Sequence, residues 1–436
     1  MDSIKTFERE ANLFVHEGKK MRIVGIESVA DKGSSGKYIT INGSKKIDFT
    51  RLDYLSLGSS DEIRSIMYES IQSYDLSCPA SQMLVKMDAT VRLEQALESM
   101  HGMDDVILFS NGYSANDNVM QALGNRLNTH YIKKYMQAYA ENNGMKSEDL
   151  LTPTVFFVDS ESHYSLNHGS RVARSFSQGL CFVESFSCMN YAELEVKIEA
   201  SKKNIGENAV RIIVSDALSS TSGRLFDVEL LSAIAERHGC LLYIDEAHSV
   251  GVFGPKGSGV AAGSKSYEQR KNRMIVMGTL TKSFSQLGGY VAVPNKNIGT
   301  YIRSCSPQYI FSAPILTWMS DTLTKTIQLV QGEFGEKRRK NLHDVSQYMR
   351  NSLLENDFDI LGSNSQIIPV LIHDESKADQ IKQSMDESGF LISLFKYPAV
   401  PHGSALIRFS ICADITKQDV DAAVGSLLML RNKLRF

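Results

Sequence analysis

Along the chain, short runs of uninterrupted apolar residues alternate with stretches in which apolar positions recur at helical spacing. Between about 90 and 300 the runs are DDVILFS, TVFFVDS, RIIVSDA, CLLYIDE, RMIVMGT and YVAVP. Fully apolar strands separated by amphipathic helices predict a mostly parallel sheet covered on both faces, an α/β arrangement. Each run ends in small or polar residues, and in such sheets ligands sit beyond the carboxyl ends of the strands. The pattern divides the chain into an N-terminal arm (1–50), a large domain (51–300) and a C-terminal α+β domain (301–436). The arm carries a charged helical start, then two short alternating runs around Asn42-Gly43, a strong hairpin signal. The last part reads as helices, then SQIIPVLIH, GFLISLF and ALIRFSI as strands, and a closing helix. The segment 126–153 is polar and helical in pattern, set between two elements of the large domain.

Composition narrows the function classes. The chain has 436 residues, with Lys and Arg totalling 47 against 50 Asp and Glu. That balance lacks the cationic excess of a dedicated nucleic-acid binder. No apolar run approaches the ~18–20 residues that cross a bilayer. The first residues are polar and acidic from residue 2, unlike a secretory or transit leader, so a cytoplasmic location is expected. The 6 cysteines are scattered without a Cys-x-x-Cys pair, which predicts reduced thiols and no metal site.

Two segments carry chemistry. In CLLYIDEAHSVGVFGPKGSG, 240–259, a strand delivers Asp245 and Glu246 at its carboxyl end, with His248 just after. Asp245 suits a carboxylate facing a pyridine nitrogen and keeping it protonated, with His248 on a neighbouring ring oxygen. A solvated strand-end turn is the plain alternative. A magnesium-holding strand of an NTPase is the other sharp alternative, but it needs an upstream phosphate loop. The one Gly-Lys candidate, GSSGKY at 33–38, has the wrong spacing and precedes a hairpin. In RMIVMGTLTKSFSQLGGYVAVP, 273–294, a second strand runs into Thr279, Thr281 and Lys282. Burial lowers a lysine's pKa and turns it into a nucleophilic amine, and the threonine hydroxyls suit a phosphate. Lys282 at the start of a surface helix is the bland reading. The two segments together point to pyridoxal phosphate (PLP).

These motifs resemble the α-oxoamine synthases, PLP-dependent enzymes of fold type I, over about residues 50–425. The resemblance rests on DEAH-x-x-G, G-T-L-x-K-x-F and G-G-Y in that order, joined by DYLSLG (53–58) and SNGYSAN (110–116). It implies a mostly parallel seven-stranded sheet in the large domain and a smaller C-terminal α+β domain. It also implies that Gly112 and Tyr113 take the cofactor phosphate at a helix start, where anions are favoured. DSESHYSLNHG, 159–169, places His163 on the histidine that stacks over the ring. SSTSG, 219–223, makes Ser220 the expected cofactor contact, and Thr279 belongs to the same set. YIFSAP, 309–314, resembles the segment that crosses to the neighbouring subunit's phosphate, which brings in Ser312 and a homodimer with sites at the interface. YPAVPHGSALIRFSICAD, 397–414, places Arg408 on the arginine that grips the amino-acid carboxylate.

The reaction implied is a decarboxylating condensation of an amino acid with an acyl thioester to an α-amino ketone, with Lys282, Asp245 and His163 as its catalytic residues. An aminotransferase or lyase of the same fold and a non-catalytic scaffold subunit are the alternatives. Several positions depart from the family pattern. SCPASQ, 77–82, puts Gln82 in place of an arginine, Thr90 stands near a missing histidine, Ala313 replaces a hydroxyl or amide residue, and CMN, 188–190, replaces H-N-D. The segment 126–153 is longer than the family usually carries. Cofactor residues are kept while substrate-side residues drift, which implies an unusual acyl donor or amino acid.

Overall fold

The computed structural model describes residues 3–20, 29–77, 81–124, 130–146 and 152–436. The hairpin predicted at Asn42-Gly43 forms from β1 (Tyr38–Ile41) and β2 (Ser44–Asp48). Both turn residues have positive φ (52° and 74°), the geometry that a two-residue turn of this hand requires.

The large sheet holds seven strands: β3 (Asp105–Phe109), β4 (Thr154–Asp159), β5 (Cys181–Phe186), β6 (Val210–Asp216), β7 (Leu241–Asp245), β8 (Met274–Thr279) and β9 (Gly289–Val293). Their order is β3-β9-β8-β7-β6-β4-β5. β9 runs antiparallel to both neighbours, and the other pairs are parallel. The apolar runs are continuous because both faces are covered. On β6 and β7, Ile213, Leu242 and Ile244 join one core, while Ile212, Val214 and Tyr243 join the other. The run that pattern reading missed is β5. It is the sheet's edge, where Glu184 and Ser185 face solvent, so its sequence lacks the buried signature.

Helices cover the faces, and two of them meet closely. A Cβ on Gly169, in the helix Tyr164–Phe176, would stand 2.9 Å from Met120 Cβ and 3.0 Å from Asp117 Cα of the helix Gly112–Gly124. Only a residue without a side chain allows that approach. It carries His163, the N-cap of the first helix, to the same end of the sheet as Gly112.

The C-terminal strands are β10 (Ile367–His373), β11 (Phe390–Leu391), β12 (Ser393–Phe395) and β13 (Ala405–Ser410). β13 lies between β10 and β12, antiparallel to both. β11 instead pairs parallel with β2. The stitching continues through Ser410 N–H to Phe49 O (2.7 Å) and Ala413 N–H to Tyr54 O (2.8 Å). The N-terminal hairpin is thereby tied to the C-terminal strands, and Tyr54 is fully buried. In the polar segment 126–153 a helix spans His130–Asn142; residues 126–129 and 147–151 lie outside the described residues. Among the described residues, no helix is long and apolar enough to cross a membrane.

Candidate active site

Parallel strands deliver their last residues to a common edge, and here that edge is acidic. Asp216 of β6 and Asp245 of β7 are register partners, and Thr279 ends β8. They face a cavity of about 230 Å³ lined also by Asn111, Gly112, Tyr113, Asn116, His163, Ala247, His248, Met277, Thr281 and Lys282.

Burial, followed by repulsion from Asp245, pushes the Asp216 carboxyl well above its ordinary value. It accepts the His163 backbone N–H at 3.2 Å. Asp245 is pinned at both oxygens: Asn116 Nδ2 donates to Oδ2 at 2.7 Å and the Ala247 N–H to Oδ1 at 2.8 Å. Asn116 is itself oriented, because Tyr243 Oη donates to its Oδ1 at 2.8 Å. The other bond from its amide, 2.9 Å, goes to Ser165 Oγ, which lies 2.7 Å from His163 Nδ1. One buried amide thus braces the groups on two sides of the cavity.

Lys282 is half-buried, but its amine lies deep in the cavity, 2.8 Å from His248 Nε2. Burial lowers the amine to about 8, against the pull of Asp245 and Asp216 and with a further push from Arg408. His248 sits well below its ordinary value, first through burial and then through Lys282, Arg408 and His163. His163 is lowered too, again mainly by burial. Both imidazoles are therefore neutral at pH 7. At the opposite end, the helix Gly112–Gly124 begins at the cavity wall. A Cβ on Gly289 would stand 2.4 Å from the Asn111 carbonyl carbon, and one on Gly112 3.1 Å from Thr279 Cβ. Thr279 Oγ1 and Thr281 Oγ1 lie 3.2 Å apart there.

Arg408, at the centre of its small sheet, is nine-tenths buried. Its Nη1 donates to Ser220 O at 2.6 Å, its guanidinium stacks 4.7 Å from the Phe395 ring centre, and its buried Nε has no partner among the described residues.

Set beside known proteins, this architecture has clear relatives. A family profile described as aminotransferase class I and II matches residues 158–427. The chain belongs to that family. It is 27% identical over 403 residues to a putative 8-amino-7-oxononanoate synthase of Geobacillus kaustophilus, covering 92% of this chain and 93% of the relative. It is 28% identical over 387 residues to a serine palmitoyltransferase of Bacteriovorax stolpii, covering 88% and 82%. The solved structure of Sphingomonas wittichii serine palmitoyltransferase superposes with a TM-score of 0.83 at 21% identity, covering 99% of each chain. The resemblance to α-oxoamine synthases is borne out, and the fold is the PLP-dependent fold type I.

Of the residues singled out in the sequence, the structure brings Gly112, Tyr113, His163, Asp245, His248, Thr279 and Lys282 to one cavity. Ser220 is not among its lining residues and touches the site through its carbonyl on Arg408. Ser312 is exposed and bonds back to Gln308 O. It lines a neighbouring cleft with Gln82, Ser110 and Ala313, so two departures from the family pattern face each other. Residues 78–80 of SCPASQ lie outside the described residues. Asn116, Asp216 and Tyr54 carried no signal as single residues. Asp216 could have been found by noticing that TVFFVDS, RIIVSDA and CLLYIDE each place an aspartate at the end of the apolar run.

Proposed function

We propose that this protein is a PLP-dependent acyltransferase that condenses an amino acid with an acyl thioester, releasing carbon dioxide and the thiol and leaving an α-amino ketone. The observation that carries the reading is the meeting of a deep lysine amine, a braced carboxylate and an imidazole in one cavity. Relatives named for this type of synthesis match some nine-tenths of the chain.

The donor set fits the cofactor. Gly112, Tyr113 and Thr279, at a helix N-terminus, would hold the phosphate. Asp245 would face the ring nitrogen, His163 would cover the ring, and His248 would meet its oxygen. When bound, PLP supplies an electron-withdrawing ring that stabilises negative charge on the amino acid's α-carbon. Asp245 would keep the proton on the ring nitrogen, with Asp216 of the next strand beside it. Lys282 Nζ, with its pKa lowered to about 8, removes the α-proton and can return one. Arg408 takes the amino-acid carboxylate, its guanidinium anchored by Ser220 O at 2.6 Å and permanently charged. Ser220 positions that guanidinium.

The assembly is a cytoplasmic homodimer with sites at the interface, with Ser312 reaching the neighbouring subunit's phosphate. Support comes from the apolar rim of Met83, Leu84, Val85 and Phe311, 51% to 85% exposed next to that serine; patches of this kind mark interfaces.

The test is the visible spectrum of the purified protein before and after borohydride, with peptide mapping of the label. A chromophore fixed on Lys282 is expected, followed by thiol release that needs both the amino acid and the acyl thioester. A colourless protein that stays so with added PLP overturns the cofactor. Keto-acid formation without a thioester overturns the acyl transfer.

A further inference from the structure

We propose that Tyr54 is a positioning residue that fixes His248 as its Nε2–H tautomer, so that a directed chain of hydrogen bonds from Tyr54 through His248 ends on the lone pair of the Lys282 amine. The inference rests on reading Lys282 as the cofactor lysine. It adds a residue from the N-terminal segment that reaches the amine only through an intermediary.

The geometry orders the chain one donor at a time. Gln366 Nε2 donates to the His248 backbone oxygen at 2.8 Å, which holds the histidine in place. The Tyr54 phenol lies 2.6 Å from His248 Nδ1, and its proton points to that nitrogen. Tyr54 is fully buried, and among the described residues the phenol has no other acceptor. An imidazole that accepts at Nδ1 carries its proton at Nε2. Nε2 lies 2.8 Å from Lys282 Nζ, so the proton there points to the amine, which must present a lone pair.

The reverse chain is costly. A charged Lys282 would donate to Nε2, push the proton to Nδ1 and turn Tyr54 into an acceptor. The phenol hydrogen would then be stranded in a dry site, at the cost of its lost hydration. The other charges around the amine do not single out one state. Asp245 on β7 and Asp216 on β6 favour the ammonium, while Arg408 on β13 opposes it and burial lowers it further. Neutral His163 lies across the cavity. The Tyr54 chain acts on top of these, by direction rather than by charge. A free amine is the form that bonds a carbonyl carbon or takes a proton.

The experiment uses the full-length protein. Nitrogen-15 spectra of its histidines should show His248 protonated at Nε2 and bare at Nδ1; protonation at Nδ1 overturns the proposal. In parallel, the rate of acylation of Lys282 by a small anhydride is followed against pH by peptide mass spectrometry. The wild type should show a midpoint at about 8. Tyr54→Phe, which keeps the ring, should move that midpoint upward and leave about tenfold less free amine at pH 7. A folded Tyr54→Phe protein with an unmoved midpoint overturns the proposal, since a purely packing role would leave the midpoint alone. If Tyr54→Phe does not fold, the wild-type spectra decide. Neither readout needs the cofactor, so borohydride labelling of Lys282 together with an Nδ1-protonated His248 would sink this chain and leave the proposed function standing.

Discussion

The floor of the cavity and its rim are built on opposite terms. At the floor, buried polar groups hold one another: Tyr243 orients Asn116, Asn116 holds Asp245 and Ser165, and Ser165 reaches out to the more exposed His163. At the rim, Leu84 and Phe311 stand 81% and 85% exposed, and Gln82 and Ala313 occupy positions where the family pattern has other residues. The floor can be complete only if every hydrogen-bonding group has its partner, because an unpaired polar atom there has no water to turn to. The exposed apolar side chains of the rim carry no such demand, because they have no hydrogen-bonding groups to satisfy. The difference teaches that the groups of the proposed chemistry lie in the floor, and that the proposed subunit contact lies at the rim.

Substitutions separate the two regions, beginning with the most damaging. Lys282→Ala should lower turnover at least about 10⁴-fold, the upper scale of proton-transfer catalysis, and leave nothing for borohydride to trap. Turnover within tenfold of wild type would remove the floor from the chemistry. Asp245→Ala should cost about 10³-fold in kcat, of the order of losing a fixed electrostatic partner in a closed site, with cofactor absorbance retained at high PLP. Arg408→Ala should weaken amino-acid binding by roughly 10- to 100-fold, the value of charged hydrogen bonds, and spare cofactor binding. Titrating the spectral change with amino acid checks both halves. Asn116→Ala should reduce kcat about tenfold by freeing Asp245, while Asn116→Asp should do worse, since a third carboxyl would face Asp216 and Asp245. Phe311→Ser should leave the floor intact and loosen the dimer by about tenfold, read by sedimentation against concentration. If that variant instead lost cofactor without dissociating, floor and rim would be one unit.

Much of the floor was legible before any coordinates. The runs ending in Asp245 and in Thr279–Lys282 are doubly covered strands, so their apolar spacing announced them, and their polar ends pointed to the ligand edge. His163 and Arg408 were legible only through family motifs, because a loop histidine or a strand arginine alone says little. β5 was lost to pattern reading since an edge strand need not be apolar. The placing of Ser220, which acts through a carbonyl rather than its hydroxyl, was also beyond sequence, since no residue type encodes which main-chain oxygen will face a guanidinium.

The sequence by itself determined the doubly covered parallel sheet, the hairpin at Asn42-Gly43 and the strand-end positions of Lys282 and Asp245. These follow from local periodicity, turn stereochemistry and residue type, which neighbouring positions carry. The tertiary structure alone decided that Asp216 stands beside Asp245 with its pKa raised, that Asn116 braces Asp245, and that Tyr54 lies under His248. Those facts depend on strand register and on contacts between residues far apart in the chain. The physical reason is that burial and proximity set charge and direction, and both exist only once the chain has folded.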